Sequence, residues 1–129
     1  MPRILVIDDE RLIRSMLVTV LTRAGFSAEE ASDGIAGLAM LHTYLPDLVI
    51  TDLFMPNRDG IEVVMELKRS YPHIKIIAMT GGGQTHMTQI GSAAKNLGAE
   101  YVLQKPFEKQ LLLATVNHAL GIGPLPSSQ

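Results

Sequence analysis

Residues 46–56 read Pro46-Asp47-Leu48-Val49-Ile50-Thr51-Asp52-Leu53-Phe54-Met55-Pro56, an apolar run that stops at an acid. Leu48–Thr51 is short and almost unbroken in Val, Ile and Leu, as expected of a strand covered on both faces of a parallel sheet. An acid directly after such a strand needs solvent or a partner, because an isolated carboxylate is costly to bury. Asp52 is therefore the residue to explain.

Outward from this stretch the same kind of segment recurs at Ile4–Ile7, Ile74–Met79 and Tyr101–Leu103, with a weaker one at Ser27–Ala31. Helical periodicity fills the intervals. Ile13, Met16, Leu17, Val20 and Leu21 share one face between Glu10 and Ala24, and Gly25 supplies a stop. Further helices are expected over Gly34–Thr43, over Gly60–Ser70 with Asp59 as N-cap and Ile61, Val64, Met65 and Lys68 on one side, over Thr88–Leu97, and from Pro106 to Leu120. Five strands alternating with five helices imply a doubly wound α/β domain with right-handed crossovers. Residues 1–121 are expected to form this one domain, and 122–129, rich in Gly, Pro and Ser, a flexible tail.

Composition narrows the function classes. The chain has 129 residues, 47% of them apolar and 19% charged, enough for a core. Eleven basic against 13 acidic side chains leave no excess that would point to a nucleic-acid or membrane surface. With no cysteine, thiol catalysis and Cys-ligated metals are excluded, and a reducing cytoplasm is a natural setting. The four histidines lack metal-ligand spacing. Gly81-Gly82-Gly83 is not followed by Gly-Lys-Ser/Thr and reads as a loop rather than a phosphate cradle. Met16, Met40 and Met65 read as core filler.

In doubly wound sheets ligands bind beyond the carboxyl ends of the strands. There the chain offers Asp8-Asp9-Glu10, Asp52, Thr80 and Lys105-Pro106. At an effective dielectric of about 20 and about 5 Å, each pair of like charges costs roughly 3 kcal/mol, so a proton or a cation is needed among the acids. Few carboxylates and several waters suit Mg²⁺. A carboxylate beside a metal, an ammonium and a hydroxyl is suited to receiving a phosphoryl group, with Asp52 as nucleophile and Lys105 and Thr80 offsetting the charge of the transferring group.

At these residues the chain resembles the receiver domain of two-component response regulators. The matching pieces are Ile4–Glu10, Asp33-Gly34, Pro46–Pro56, Asp59-Gly60, Thr80, Gly98-Ala99 and Lys105-Pro106-Phe107, together spanning residues 3 to about 120. The resemblance implies a flavodoxin-like sheet of strand order 2-1-3-4-5. It implies an aspartyl phosphate on Asp52, and Mg²⁺ held by Asp9, Asp52 and the Phe54 carbonyl, with Asp8 acting largely through water. It implies Thr80 and Lys105 on the phosphoryl group, a sensor histidine kinase or phosphotransfer protein as donor, and output through a downstream protein or a separate output domain. Such a domain is not a turnover enzyme, and a homodimer is compatible with it.

Two departures stand out. Receivers commonly carry Tyr or Phe three residues before the lysine, where this chain has Val102, with Tyr101 one place early and therefore expected on the opposite face. The stretch from Thr80 to Gly98 is also longer than the family pattern, and its glycines suggest a loop that orders on phosphorylation. A degenerate receiver that only binds protein is the alternative that Val102 leaves open, with the intact Asp52, Thr80 and Lys105 arguing against it. A small aspartyl-phosphate phosphatase would want an Asp-x-Asp motif after strand 1, which is missing, and an acidic first loop disfavours a flavin phosphate.

Overall fold

The computed structural model describes residues 1–54, 60–81 and 92–124. Within them the chain runs β1 (Arg3–Ile7), α1 (Arg11–Arg23), β2 (Ser27–Ala31), α2 (Gly34–Met40), β3 (Leu48–Asp52), α3 (Gly60–Ser70), β4 (Lys75–Gly81), a helical segment over residues 92–97 that we label α4, β5 (Tyr101–Lys105) and α5 (Lys109–Ala119). All strand pairs are parallel, in the order β2-β1-β3-β4-β5. This is the doubly wound, flavodoxin-like sheet expected from the alternation of apolar runs and helical periods.

The central strands are apolar because each face carries a helix layer. Ile4, Val6, Leu48, Ile50, Ile77 and Met79 pack against Leu17 and Leu21 of α1 and Leu112 and Val116 of α5. Leu5, Ile7, Val49, Ile76 and Ala78 pack on the other side against Val63, Val64 and Leu67 of α3 and Ala94 of α4. The edge strand β2 is different: Glu29 and Glu30 are exposed, as suits a strand with only one neighbour. α1 ends as its sequence requires, with Gly25 at φ 99° just past the C-cap residue Ala24.

Several boundaries and faces differ from the sequence reading. α3 buries Val63, Val64 and Leu67, with Ile61 packed partly against the same core. Of the expected face, Ile61 and Val64 are thus turned inward, Lys68 is half-buried and Met65 is exposed. Met16 is exposed as well, so of the three methionines read as filler only Met40 packs against the core. A methionine costs little at an exposed helical position, which is why periodicity alone misplaces it. α2 stops at Met40, three residues early, in a turn in which Thr43 and Tyr44 donate to the Met40 carbonyl. α5 starts at Lys109, not Pro106, because Glu108 holds the extended backbone of an N-cap. The N-cap expected at Asp59, the start of the helix expected from Thr88, and the glycine loop beyond Gly81 lie outside the described residues.

The start of α3 is set by close packing on the end of β3. A Cβ on Gly60 would overlap the carbonyl oxygen of Asp52 and come within 2.6 Å of Leu53 Cα. Neither is a flexible side-chain end, so the helix would have to move. Gly60→Ala is expected to destabilise the domain by about 2 kcal/mol or more, read as a lowered denaturant midpoint. An unchanged midpoint would show that α3 is not seated on β3 in this way.

Candidate functional site

Two chain segments, the ends of β1 and β3, deliver acids to one rim of the sheet. β1 ends at Ile7, and the Asp8 N–H still donates to the Ala31 carbonyl, which extends the ladder by one residue. Asp8 is fully buried. β3 ends in Asp52, which is 6% exposed, and Asp9 stands exposed beside them. Ligand oxygens of Asp8, Asp9 and Asp52 all lie within 4.8 Å of one another. Repulsion is therefore built into the fold, and the surroundings must answer it.

Lys105 at the end of β5 answers part of it. Its Nζ donates to Asp8 Oδ2 at 2.9 Å and lies 3.5 Å from both Asp52 Oδ2 and Glu10 Oε1. The ammonium is mostly covered, with 16% of the side chain exposed. Burial alone would lower its pKa, but the bond from Asp8 and the charges of Asp52, Asp8 and Glu10 outweigh that, so it is raised and the lysine stays charged. The remaining Asp8 oxygen, Oδ1, accepts from the Glu10 N–H at 2.9 Å.

Asp52 is compensated less well. Burial is the largest influence on it and drives its pKa up; Lys105 opposes this, Asp8 and Asp9 add to it, and the Phe54 N–H, 3.5 Å from Oδ1, gives a little relief. The balance raises the carboxyl to about 6. Desolvation and two like charges thus prevail over one ammonium.

Thr80 is buried in β4, one residue past Met79, the register partner of Asp52, and is paired with Gln104 of β5. Phe54 lies two residues past Asp52, beyond Leu53, and is exposed. The structure therefore brings Asp8, Asp9, Asp52 and Lys105 together, with Thr80 one register position beyond Asp52 on β4 and Phe54 two residues past Asp52. Sequence reasoning missed the reach of Glu10 to Lys105 and a role for Arg14, whose guanidinium joins the Asp8 backbone carbonyl to Glu30. A hydrophobic pattern holds no signal for such a contact, since it depends on where the edge strand carries its acids.

Comparison with known proteins is decisive for the family. The family described as "Response regulator receiver domain" matches residues 4–117. This chain belongs to it. Response regulator MprA of Mycobacterium sp. (strain KMS) is 36% identical over 118 residues, covering 92% of this chain and 50% of that protein. The chain thus spans about half the length of the curated relatives it matches. Among solved structures, a receiver domain protein of Clostridium thermocellum superposes with a TM-score of 0.86 at 32% identity, covering 94% of this chain and 95% of the other. The Vibrio cholerae chemotaxis protein CheY4 gives a TM-score of 0.82 at 32% identity, covering 92% and 98%. Two-component receivers are signalling domains rather than turnover enzymes, and no helix among the described residues is long and apolar enough to cross a membrane.

The receiver's usual aromatic position is occupied as expected. Val102 packs into the α2–α3–α4 side of the core, whereas Tyr101 lies on the α1–α5 side with its ring edge-on to His118 at 5.7 Å.

The raised Asp52 pKa contributes a pH dependence to the stability of the cation-free domain. The unfolded chain releases this proton near 3.8 and the folded one near 6, so in between the folded state binds more protons and stability falls as pH rises. Removing the charge should reverse the loss: Asp52→Asn is expected to stabilise the cation-free protein at pH 7.5 by up to about 3 kcal/mol, and by much less at pH 4. Denaturant titrations at the two pH values check this, and an equal effect at both would contradict it.

Proposed function

We propose that this receiver accepts a phosphoryl group on Asp52 from a sensor histidine kinase or a phosphotransfer protein, with Mg²⁺ at the acidic rim. The observation that carries the reading is the convergence of Lys105 Nζ on Asp8 and Asp52 at the edge of a mutually repelling acid cluster. A structural lysine would be expected to pair with one acid, whereas this one bridges the cluster next to a carboxylate left only partly compensated.

The donor set supports the cation. Asp8, Asp9 and Asp52 offer only hard carboxylate oxygens, close enough to share one small ion, and the Phe54 carbonyl would add a neutral oxygen. When bound, Mg²⁺ supplies positive charge to the cluster and to the oxygens of the incoming group. The residues of the chain do the rest. An Asp52 carboxylate oxygen forms a bond to phosphorus as the phosphorus–nitrogen bond of a phosphohistidine donor breaks, and the released imidazole takes up a proton. Lys105, already 3.5 Å from Asp52, swings from Asp8 toward a phosphoryl oxygen, and the Thr80 hydroxyl donates to another. This shift of the ammonium from one anion to another is the local event that biases the domain between two states.

In this reading residues 1–121 form the receiver unit and output passes to a protein target or to a separate output domain, reached without the usual aromatic at position 102. Incubation with a phosphorylated histidine kinase domain and Mg²⁺ should label the wild type stoichiometrically. Asp52→Asn or removal of Mg²⁺ with a chelator should abolish the label. Lys105→Ala should keep its cation affinity but lose most of the labelling rate or of the conformational response. Stoichiometric label on the Asp52→Asn protein would refute the assignment.

A further inference from the structure

We infer that Arg14 is a positioning residue for the acidic rim: by holding the Asp8 carbonyl it sets the direction of the Asp9 carboxylate. The inference rests on the reading of Asp8, Asp9 and Asp52 as a divalent-cation site.

Asp8 is held at four points. Its N–H bonds to Ala31, its Oδ1 accepts from the Glu10 N–H, its Oδ2 accepts from Lys105, and its backbone carbonyl accepts from Arg14 Nη1 at 2.8 Å. The first three fix the Asp8 residue itself. The carbonyl bond fixes the plane of the peptide that leads to Asp9, because a trans peptide turns as one rigid unit. Among the described residues no hydrogen bond holds the Asp9 carboxylate, so the orientation of that peptide is what aims it at Asp8 and Asp52.

Arg14 suits this task in three ways. Its side chain is 15% exposed, so the fork is packed in place. Its Nε donates to Glu30 Oε1 at 2.8 Å, which anchors the other limb of the guanidinium to the edge strand β2. Glu30 also balances the guanidinium charge, so a cation placed near by meets a geometric aid with little added repulsion. A lysine could not span both acceptors, since it lacks the planar fork. The Glu29-Glu30 pair, odd in a strand, thereby gains a purpose for its second member.

Outer groups of this kind typically alter metal affinity by about 10–100-fold. The test is calorimetric titration of Mg²⁺, and of Mn²⁺ as a tighter probe, into the full chain, beside a thermal melt without metal. Arg14→Gln is expected to raise the cation Kd about tenfold or more. Glu30→Gln keeps the arginine but loosens its anchor and unbalances its charge, and should weaken binding in the same direction by a smaller factor. Both variants should still melt cooperatively, and Arg14→Lys should not restore wild-type affinity. A cation Kd within twofold of wild type in Arg14→Gln and Glu30→Gln would overturn the inference while leaving the site reading intact. Wild-type protein that binds neither ion would overturn both. Should Arg14→Gln fail to fold, Glu30→Gln alone decides.

Discussion

Three carboxylates whose oxygens lie within 4.8 Å of one another, answered by a single ammonium, are the constraint on which the rest of this structure depends. The sheet creates it. Parallel strands buried on both faces can carry polar residues only at their ends, and the neighbouring positions of β1 and β3 bring two of those ends side by side. Asp8 is tied down by Lys105 and the Glu10 N–H, which leaves the burden on Asp52. That burden raises the Asp52 pKa to about 6, because burial and the neighbouring acids outweigh the charge that Lys105 supplies.

The fold exacts stability for this arrangement and compensates elsewhere. The two apolar layers are continuous from Ile4 to Val116 on one side and from Leu5 to Ala99 on the other, and they clamp β1, β3 and β4 so that the acids cannot drift apart. The bond of Lys68 to Glu100, which also accepts from the Ile76 N–H, joins α3, β4 and the approach to β5 on the far side of the sheet. Strain between like charges is thus borne by a rigid scaffold, as expected of a preorganised site.

Much of this was legible in the sequence, and for physical reasons. Leu48–Thr51 could only be a covered strand, and once strands and helices alternate, topology brings Asp8, Asp52 and Lys105 to one rim whatever the loops do. The one-residue offset of Tyr101 from the usual aromatic position translated directly into a change of face, because strand side chains alternate. What was illegible depended on side chains that periodicity treats as equivalent. Met65 and Val63 are both apolar, yet only the rotational setting of α3 on β3, fixed by the close approach at Gly60, decides which is buried. The start of α5 was misread because proline suits a first helical turn but does not compel one. The link from Arg14 through Glu30 to the Asp8 backbone joins two elements by polar contacts that leave no trace in a hydrophobic pattern.

The central claim, that this rim makes Asp52 a cation-dependent phosphoacceptor, is tested most directly by trapping the acyl phosphate. The protein would be treated with a small phosphoryl donor in the presence or absence of Mg²⁺, reduced with borohydride, which converts an aspartyl phosphate to homoserine, and sequenced by mass spectrometry. The account requires homoserine at position 52 only when Mg²⁺ is present. Homoserine at Asp8 or Asp9 in its place, or equal conversion at Asp52 without the cation, would contradict it.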